Sequence, residues 1–426
     1  NGAIYDARKL GKPKMIILGV QHMFAMFGAT ILVPILTGLD ISTTLLMAGL
    51  GTLLFHCITK FKVPAFLGSS FAFLGGYAAI KAFSPNDPNS MLPYACLGVA
   101  CAGLIYFILA AVIKAVGIEK VMRFFPPVVT GPIIIAIGLG LAPSAVSNCT
   151  TNWFLAVVAL AVIVVFNIWG KGMAKIIPII LGLLISYGTG LVLYFISQAN
   201  PDLIQNVPWL FSGGADANGV YQPIFDFTSL NTICDNISKG HIFGSEGLIG
   251  IPIHWDQTVF GGIDYSNGAL IASSIIAIVP IAFATMMEHI GDICAISSTT
   301  GNNYIKDPGL HRTLVGDGLA TTLASLFGGP ANTTYGENTG VLALTRVYDP
   351  RVIRIAAYFA VAVSFFPIVS VIIGSIPSCI IGGISFVLYG MISAIGVRNV
   401  VENKVDFTKS RNLIVAAVIL VCALGL

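Results

Sequence analysis

Charged residues are scarce in this sequence. Asp, Glu, Lys and Arg make up only 10% of its 426 residues, and 56% of the residues are hydrophobic. A soluble domain carries roughly 25% charged residues, so the composition excludes an ordinary water-soluble domain and also a disordered chain. The length accommodates roughly a dozen apolar spans of about 20 residues each. We therefore predict a polytopic, multi-pass membrane protein.

The motifs of several enzyme classes are also lacking. The sequence contains no CxxC pair, HExxH motif, P-loop or nucleophile elbow. No motif therefore supports a metalloenzyme, a pump driven by nucleotide hydrolysis or a hydrolase. Most of the eight cysteines lie in apolar segments, where they are expected to act as small hydrophobic residues. We expect no enzymatic activity, no metal, no cofactor and no nucleic-acid partner.

Long apolar runs follow one another along the chain. They lie near 15–39, 43–59, 71–84, 92–117, 128–146, 153–169, 173–197, 267–293, 313–328, 337–348, 352–376, 378–396 and 412–426. If the N-terminus is placed in the cytoplasm, twenty of the 22 Lys and Arg residues fall on the cytoplasmic side, as the distribution of basic residues in membrane proteins requires. The polar, acidic stretch 198–266 then lies outside.

Several short residue pairs and single residues of the first half of the sequence recur in the same order in the second half, which predicts a duplication. The matched pairs are Gln21-His22 with Glu288-His289, Pro64-Ala65 with Pro330-Ala331, and Pro126 and Gly131 with Pro377 and Gly382. Because the first copy holds seven runs, the second copy is inverted in the membrane. The second copy has six runs, so a duplicated fold predicts that this chain ends inside its thirteenth span and lacks a fourteenth.

Two apolar runs, 71–84 and 337–348, are too short to cross a bilayer as helices. Each follows a polar stretch expected to be extended, at 68–70 and 332–336. In an inverted repeat both helices then begin in the middle of the membrane, near Ser70-Phe71 and Gly336-Glu337. Their first backbone groups are available to a ligand there, and matched discontinuous helices of this kind indicate a transporter binding site.

Four carboxylates fall inside predicted spans: Glu288, Asp292, Asp317 and Glu337. Such residues cost at least ~2.5 kcal/mol at the bilayer centre, so each is a functional hypothesis. Glu288 and Asp292 share one helical face at i and i+4. A structural role stays open for each, as a helix cap for Glu337 and within a polar network for the others. His22 either pairs with a buried carboxylate or is a core histidine.

The expected site has a definite chemical preference. Carboxylates accept hydrogen bonds, whereas free backbone N–H groups at helix starts donate them. A flat molecule with alternating N–H and C=O groups, packed on aromatic rings such as Phe71, Phe73, Tyr335 and Tyr389, satisfies both demands. A pyrimidine or purine base fits, and a carboxylate that must be neutralised in one orientation of the carrier couples transport to protons.

Four stretches carry a family resemblance. They are QHMFAMFGATILVP (21–34), PAFLGSSFAF (64–73), EHIGD (288–292) and NTTYGENTGVLALTRVY (332–348), the last with an Asn-x-Gly-x4-Thr-Arg signature from Asn338 to Arg346. The sequence resembles the nucleobase–ascorbate transporter (NCS2) family, and its bacterial uracil permease (uracil:proton symporter) branch in particular. The resemblance covers the chain except the 198–266 loop.

The resemblance implies an all-α, 7+7 inverted-repeat, 14-span fold with alternating access. The core domain would comprise 1–117 and 267–376, and the gate domain 118–197 and 377–426, with 198–266 as an extracytoplasmic loop. It also implies proton-coupled uptake of uracil across the cell membrane and a homodimer formed through the gate domain. The alternatives are a purine (xanthine-type) symporter and a channel or anion transporter of the same architecture.

The resemblance also implies roles for individual residues. Glu288 and Glu337 would hydrogen-bond the base, the main chains of Phe71 and Gly336 would contribute, and Ala29, Tyr335 and Tyr389 would line the pocket. Asp292, Glu288 and His22 would take part in proton coupling. The best-known uracil symporter of this family carries His where this chain has Asp292, and Asp is usual at that position in purine relatives.

Overall fold

The computed structural model describes residues 2–123 and 126–425. Asn1, Phe124, Phe125 and Leu426 lie outside the described residues, and with them two positions of the predicted segment 118–197 and the last position of the run 412–426. The described chain is mostly helical, with four short strands.

The first half of the chain forms these helices: α1 (Lys12–Thr37), α2 (Ile41–Ile58), α3 (Leu74–Lys81), α4 (Leu92–Val116), α5 (Ile118–Met122), α6 (Pro127–Cys149), α7 (Trp153–Trp169), α8 (Pro178–Ala199), α9 (Asp202–Asn206), α10 (Pro208–Phe211) and α11 (Thr228–Ser238). The second half forms α12 (Val259–Gly262), α13 (Gly268–Ile278), α14 (Ile281–Thr300), α15 (Leu310–Leu326), α16 (Gly336–Thr345), α17 (Pro350–Ser364), α18 (Pro367–Gly374), α19 (Ser378–Glu402) and α20 (Ser410–Gly425). The strands are β1 (Leu67–Ser69), β2 (Ser212–Ala215), β3 (Tyr221–Pro223) and β4 (Asn332–Thr334).

Seven helices within 2–123 and 126–425 are long and apolar enough to cross a membrane. They are Lys12–Thr37, Ile41–Ile58, Pro88–Val116, Pro127–Cys149, Pro178–Ala199, Gly268–Thr300 and Ser378–Glu402. The pair α17 and α18 together makes an eighth candidate, bent by 88°. The protein is therefore an integral membrane protein, as its composition predicts.

Every predicted apolar run contains at least one helix, but two of the runs are each divided between two helices. The run 352–376 is not one helix, because Pro367 lacks the N–H that would continue the ladder and the chain turns between α17 and α18. The run 267–293 is interrupted before Pro280 and continues to Thr300. The polar stretch 198–266 contains the short helices α9 to α12 and the β2–β3 hairpin, and its place outside the membrane remains a prediction.

The first short helix begins later than expected. The sequence predicts a start near Ser70-Phe71, whereas α3 begins at Leu74. Ser70 still belongs to the extended segment, because its N–H donates to the Ala331 carbonyl at 2.8 Å. Residues Phe71 to Phe73 form a turn that connects the extended segment to α3. The second short helix, α16, begins at Gly336 as predicted.

The chain divides into two compact units. The first comprises residues 1–124 and 233–370, and the second residues 125–232 and 371–426. The first unit contains β1, β4 and both short helices, α3 and α16. Its core includes the Tyr335 ring, which packs with Met26, Ala29 and Phe66.

The second unit is built around α6 and α19, which run antiparallel. Pro126 and Pro377 stand immediately before the two helices with nearly the same backbone conformation (φ −66°, ψ 142° and φ −60°, ψ 142°). A Cβ on Gly131, at the start of α6, would meet Val400 near the end of α19, and a Cβ on Gly382 would meet Cys149 at the end of α6. The matched residues of the two sequence copies therefore make reciprocal contacts.

Candidate functional site

Two short strands cross at the centre of the site. β1 and β4 pair antiparallel with Gly68 opposite Thr333, and the pairing continues through the Tyr335 N–H, which donates to the Phe66 carbonyl at 3.0 Å. All six strand residues are buried. Because unpaired backbone groups are costly within a membrane, the two extended segments satisfy one another, and their antiparallel register places the starts of α3 and α16 beyond opposite ends of the crossing.

Side chains from the surrounding helices fix this crossing. Thr52 on α2 bonds Leu67 twice, accepting from its N–H at 2.9 Å and donating to its carbonyl at 3.1 Å. Thr321 on α15 donates to the Asn332 carbonyl at 2.8 Å, and the Asn332 amide donates to the Met47 carbonyl at 3.0 Å. The crossing is thus anchored to two long helices of the first unit.

The Tyr335 ring lies directly against β1. Its hydroxyl donates to the Ser69 carbonyl at 3.0 Å and accepts from the Thr30 hydroxyl at 3.2 Å. A Cβ on Gly68 would stand 2.4 Å from two ring atoms of Tyr335. Gly68 is therefore required here because the ring occupies the space of a side chain.

Three carboxylates gather beside the crossing. Glu288 and Asp292 lie on α14, which packs against α16 and β4, and Glu337 lies in the first turn of α16. The charges of Asp292 and Glu337 both interact with that of Glu288. Glu288 is exposed, whereas Asp292 and Glu337 are half-buried. The sequence-predicted acids are thus brought together with their side chains accessible.

Asp292 has a short hydrogen bond from the crossing itself. The Thr334 hydroxyl, at the end of β4, donates to Asp292 Oδ2 at 2.6 Å. This distance is at the short end of the range for hydrogen bonds donated by an O–H group. Asp292 is therefore tied to the strand that leads into α16 and to Glu337.

His22 is bonded to an amide rather than to a carboxylate. The Asn338 amide nitrogen lies 3.1 Å from His22 Nδ1 and donates to the His22 carbonyl at 3.0 Å. Since an amide NH2 only donates, Nδ1 accepts and Nε2 carries the ring hydrogen. This arrangement holds the first turn of α16 against α1, and a role of His22 in proton coupling remains a prediction.

Behind the carboxylates lies a fully buried pair. His289 Nδ1 is 2.8 Å from Asp317 Oδ2, and both side chains are 0% exposed. The Phe55 ring stands edge-on to His289, and the charge of Asp317 acts on Glu288. His289 therefore faces a neighbouring helix, α15, on which Asp317 lies.

Glycines leave the backbone open around the acids. A Cβ added at Gly291 or Gly336 would meet nothing within 4 Å. Gly291 directly precedes Asp292, and Gly336 directly precedes Glu337. The first N–H groups of a helix have no partner within the helix, so the exposed start of α16 offers donors next to a carboxylate acceptor.

The remaining predicted residues lie in different surroundings. Phe71 is half-buried and packs on the core cluster that contains Ala29 and Tyr335. Ala29 is buried at 1% exposure. Tyr389 is buried on α19 in the second unit. That Ala29, Tyr335 and Tyr389 line a substrate pocket remains a prediction.

The sequence reasoning missed three polar residues, Thr334, Asn338 and Asn332. All three lie in or next to the short motifs that it quoted, but nothing in the spacing says which buried group each one bonds. Across residues 2–123 and 126–425, no group of three or more His, Cys, Asp or Glu residues is arranged to hold a metal ion.

Comparison with known proteins supplies the family. The family model for xanthine and uracil permeases, described as a permease family, matches residues 13–426. The uracil permease of Bacillus caldolyticus is 39% identical over 421 residues, which cover 96% of this chain and 85% of the relative. The probable uracil permease of Haemophilus influenzae is 36% identical (98% and 89% covered), and the putative pyrimidine permease RutG of Escherichia coli is 35% identical (100% and 86%).

Solved structures with the same fold are more distant in sequence. The transmembrane domain of the cyanobacterial bicarbonate transporter BicA is 12% identical with a TM-score of 0.64, and the match covers 99% of this chain and 97% of that one. Murine Slc26a9, an anion transporter, is 10% identical with a TM-score of 0.52, over 96% and 64%. At these identities the likeness concerns the fold alone. The family match and the relatives together indicate a transporter rather than an enzyme, and the chain belongs to the nucleobase–ascorbate transporter (NCS2) family of permeases, as its motifs predict.

Proposed function

We propose that this protein is a secondary transporter that takes up uracil together with protons by alternating access. One observation carries the proposal. Glu288 and Glu337 lie on two different helices beside the strand crossing, and they are close enough for their charges to interact. The uracil and pyrimidine permeases among the relatives support uracil over a purine as the substrate.

The chemistry of uracil suits the groups at this site. The ring presents two N–H donors and two carbonyl acceptors in one plane. Each N–H can donate to a carboxylate, one at Glu288 and one at Glu337, and a carbonyl can accept from the free N–H groups that begin α16 at Gly336. Phe71 offers a half-buried aromatic surface and its main chain. Thymine and 5-fluorouracil share the same donors and acceptors.

Proton coupling follows from the crowding of the acids. Glu288, Asp292 and Glu337 carry charges of one sign at short range. A proton that binds to this group removes one negative charge and reduces the repulsion among the rest. Because Thr334 links Asp292 to the segment that leads into α16, a change of charge at Asp292 acts on the same backbone that presents Gly336 to the base. His22, which holds Asn338, completes the proposed coupling group.

The proposal includes the architecture that the resemblance implies. The antiparallel β1–β4 crossing and the reciprocal contacts of Gly131 and Gly382 support an inverted repeat of seven plus seven spans. The first unit would serve as the core domain and the second as the gate domain, through which a homodimer forms. The N-terminus would face the cytoplasm.

Uptake into proteoliposomes tests the proposal. Labelled uracil is supplied with and without an imposed pH gradient, and xanthine, thymine and 5-fluorouracil are added as competitors. We expect accumulation driven by the gradient and competition by the two pyrimidines but not by xanthine. Accumulation that ignores both the gradient and the pyrimidines would refute the function, and selective competition by xanthine would favour a purine symporter.

Matched variants connect the function to the site. Glu337→Gln and Asp292→Asn keep the shape of each side chain and remove its charge. Glu337→Gln should abolish uptake and Asp292→Asn should abolish its dependence on the gradient, whereas Glu246→Gln, at an exposed position of the polar stretch, should leave both unchanged. Passive uracil flux through the Glu337→Gln protein would favour a channel, and full gradient-driven uptake by Asp292→Asn would remove Asp292 from the mechanism.

A further inference from the structure

The N-terminal segment, residues 2–11, contacts the C-terminal ends of both α14 and α16. These two helices carry the three carboxylates of the candidate site, and they pack against one another. The last four carbonyl groups of a helix have no partner within the helix, so each helix end needs donors from elsewhere. The N-terminal segment supplies a donor to both ends.

Tyr5 supplies the donor for α14. Its hydroxyl donates to the carbonyl of Thr300, the last residue of this helix, at 2.7 Å. The chain leaves α14 through Gly301, whose backbone is left-handed (φ 75°), and a Cβ on Gly301 would lie 3.8 Å from the Tyr5 hydroxyl. The Tyr5 ring packs on the ring of Tyr348, with centroids 5.5 Å apart. Tyr5 therefore joins the end of α14 to the residues that follow α16.

Ile4 supplies the donor for α16. Its N–H donates to the carbonyl of Arg346, the C-cap residue of this helix, at 2.9 Å, and its own carbonyl accepts from the Tyr348 N–H at 2.8 Å. The backbone of Arg346 is left-handed (φ 56°), a conformation that a residue other than glycine adopts only at a cost. The two hydrogen bonds flank Val347, which pairs with Ile4 as a parallel bridge. They hold the turn that ends α16.

The segment is itself anchored by a buried carboxylate. The Ala7 N–H donates to Asp349 Oδ2 at 2.8 Å, and both Ala7 and Asp349 are buried. The Arg351 guanidinium pairs with Asp349 at 3.1 Å and with Asp6 at 3.0 Å. Residues 4–7 thus form a fixed bridge between the two helix ends and not a loose tail.

We infer that Tyr5 is a positioning residue for the proposed substrate site. Together with Ile4 it fixes the end of α14 relative to the end of α16, and thereby the separation of Glu288 from Glu337. This role rests on the proposed function, in which these two carboxylates accept from the two N–H groups of uracil. Tyr5 acts on the acids through the helices that it joins.

Both helices are suited to transmit this effect. α16 has ten residues, and a helix this short is marginal on its own, so its position depends on what holds its two ends. The strand crossing holds its start, and Ile4 holds its end. At 1.5 Å per residue, Arg346 lies about 14 Å from Glu337, and Thr300 lies about 18 Å from Glu288. Because a packed helix is a rigid element over such distances, a shift at either end reaches the acids.

Reciprocity provides a test on the native chain. If the closed segment favours the arrangement that binds uracil, bound uracil must favour the closed segment by the same factor. Hydrogen exchange is measured on the purified full chain with and without saturating uracil. We expect uracil to slow exchange of the Ile4, Ala7 and Tyr348 amides, whose hydrogen bonds close the segment. The Gly250 amide, which donates to the Phe365 carbonyl in the same unit, should not change.

A matched pair of tyrosine variants tests the residue itself. Tyr5→Phe removes the hydroxyl that donates to Thr300 and keeps the ring, whereas Tyr265→Phe removes a hydroxyl that donates to the Val259 carbonyl, also at 2.7 Å. The two tyrosines are 52% and 57% exposed, so neither change opens a cavity in the core. Tyr5→Phe should raise the calorimetric Kd for uracil by about two- to tenfold, the effect of one hydrogen bond between neutral groups. Tyr265→Phe should leave the Kd unchanged.

The outcomes separate a positioning role from a structural one. A higher Kd for Tyr5→Phe than for Tyr265→Phe, at equal thermal midpoints, supports the positioning role. A lower midpoint for Tyr5→Phe with an unchanged Kd would show that Tyr5 only stabilises the fold, and would overturn it. So would a native chain that binds uracil while exchange of the Ile4, Ala7 and Tyr348 amides stays the same.

Failure of the proposed function would look different. Glu337→Gln should weaken uracil binding, yet without uracil its segment amides should exchange as they do in the native chain. A native chain that does not bind uracil would overturn the proposed function, and the positioning role with it. A native chain that binds uracil without protecting the segment would overturn the positioning role alone.

Discussion

The Gly68→Ala substitution tests how tightly the strand crossing is packed. A Cβ at this position would lie 2.4 Å from the Tyr335 ring, whereas ordinary van der Waals contact begins at about 3.4 Å. The ring must therefore retreat by about 1 Å, which would lengthen the bonds of its hydroxyl to Ser69 and Thr30, now 3.0 and 3.2 Å. Overpacking of this kind costs typically about 1–3 kcal/mol.

The expected result is a lower thermal midpoint in detergent and slower uracil uptake. Gly75→Ala is the matched control, because a Cβ there meets nothing within 4 Å and alanine favours a helix by about 0.5–1 kcal/mol. Its midpoint should stay level or rise. In the double variant Gly68→Ala/Tyr335→Leu the clash is relieved, so the combined loss should be smaller than the sum of the single losses. Additive losses, or a Gly68→Ala protein as stable as Gly75→Ala, would refute the packing described.

Two further predictions concern single hydrogen bonds and charges. Thr334→Val removes the donor to Asp292, so the free energy of unfolding should fall by about 1.5–3 kcal/mol and uracil uptake should slow. Thr333→Val is the control, because the buried Thr333 hydroxyl has no hydrogen-bond partner among the described residues, and it should change neither. Equal effects of the two substitutions would contradict the assignment. The hydrogen bonds of Asp6 with Arg8 lower the pKa of Asp6 from 3.8 to about 2, so the stabilisation of the N-terminal segment is complete above pH 3.8 and is lost as the pH falls through 2. Asp6→Asn should reproduce that loss at neutral pH as faster exchange of the Arg8 amide, whose N–H donates to Asp6, and unchanged exchange would show that the charge is not needed.

Much of the architecture could be predicted from the sequence, because hydropathy and the positions of prolines and polar stretches are enough to locate the helices. Runs too short to span the bilayer, each preceded by a polar extended stretch, predict α3 and α16. The repeated Pro-Ala pairs at 64–65 and 330–331 lead into the two strands that pair. The helix breaks at Pro280 and Pro367 were missed, because hydropathy remains high through them and only a proline marks each break.

The candidate site was predicted less completely. Carboxylates inside apolar runs are conspicuous at this composition, so Glu288, Asp292 and Glu337 could be picked out from the sequence. Their partners could not, since Thr334 and Asn338 are ordinary polar residues whose bonds to Asp292 and His22 depend on how distant segments meet. His22 was expected beside a carboxylate or in the core, and only the fold reveals that it holds an amide.

Direct binding of uracil to the purified protein is the sharpest test of the central claim. Calorimetry would compare the native chain with Glu337→Gln and with the control Glu246→Gln. Because a hydrogen bond to a charged group contributes about 1.5–3 kcal/mol, Glu337→Gln should weaken uracil binding about tenfold to a hundredfold, and the control should bind as the native chain does. Uracil that binds Glu337→Gln as tightly as the native protein would contradict the claim that a base is held by these two acids at the strand crossing.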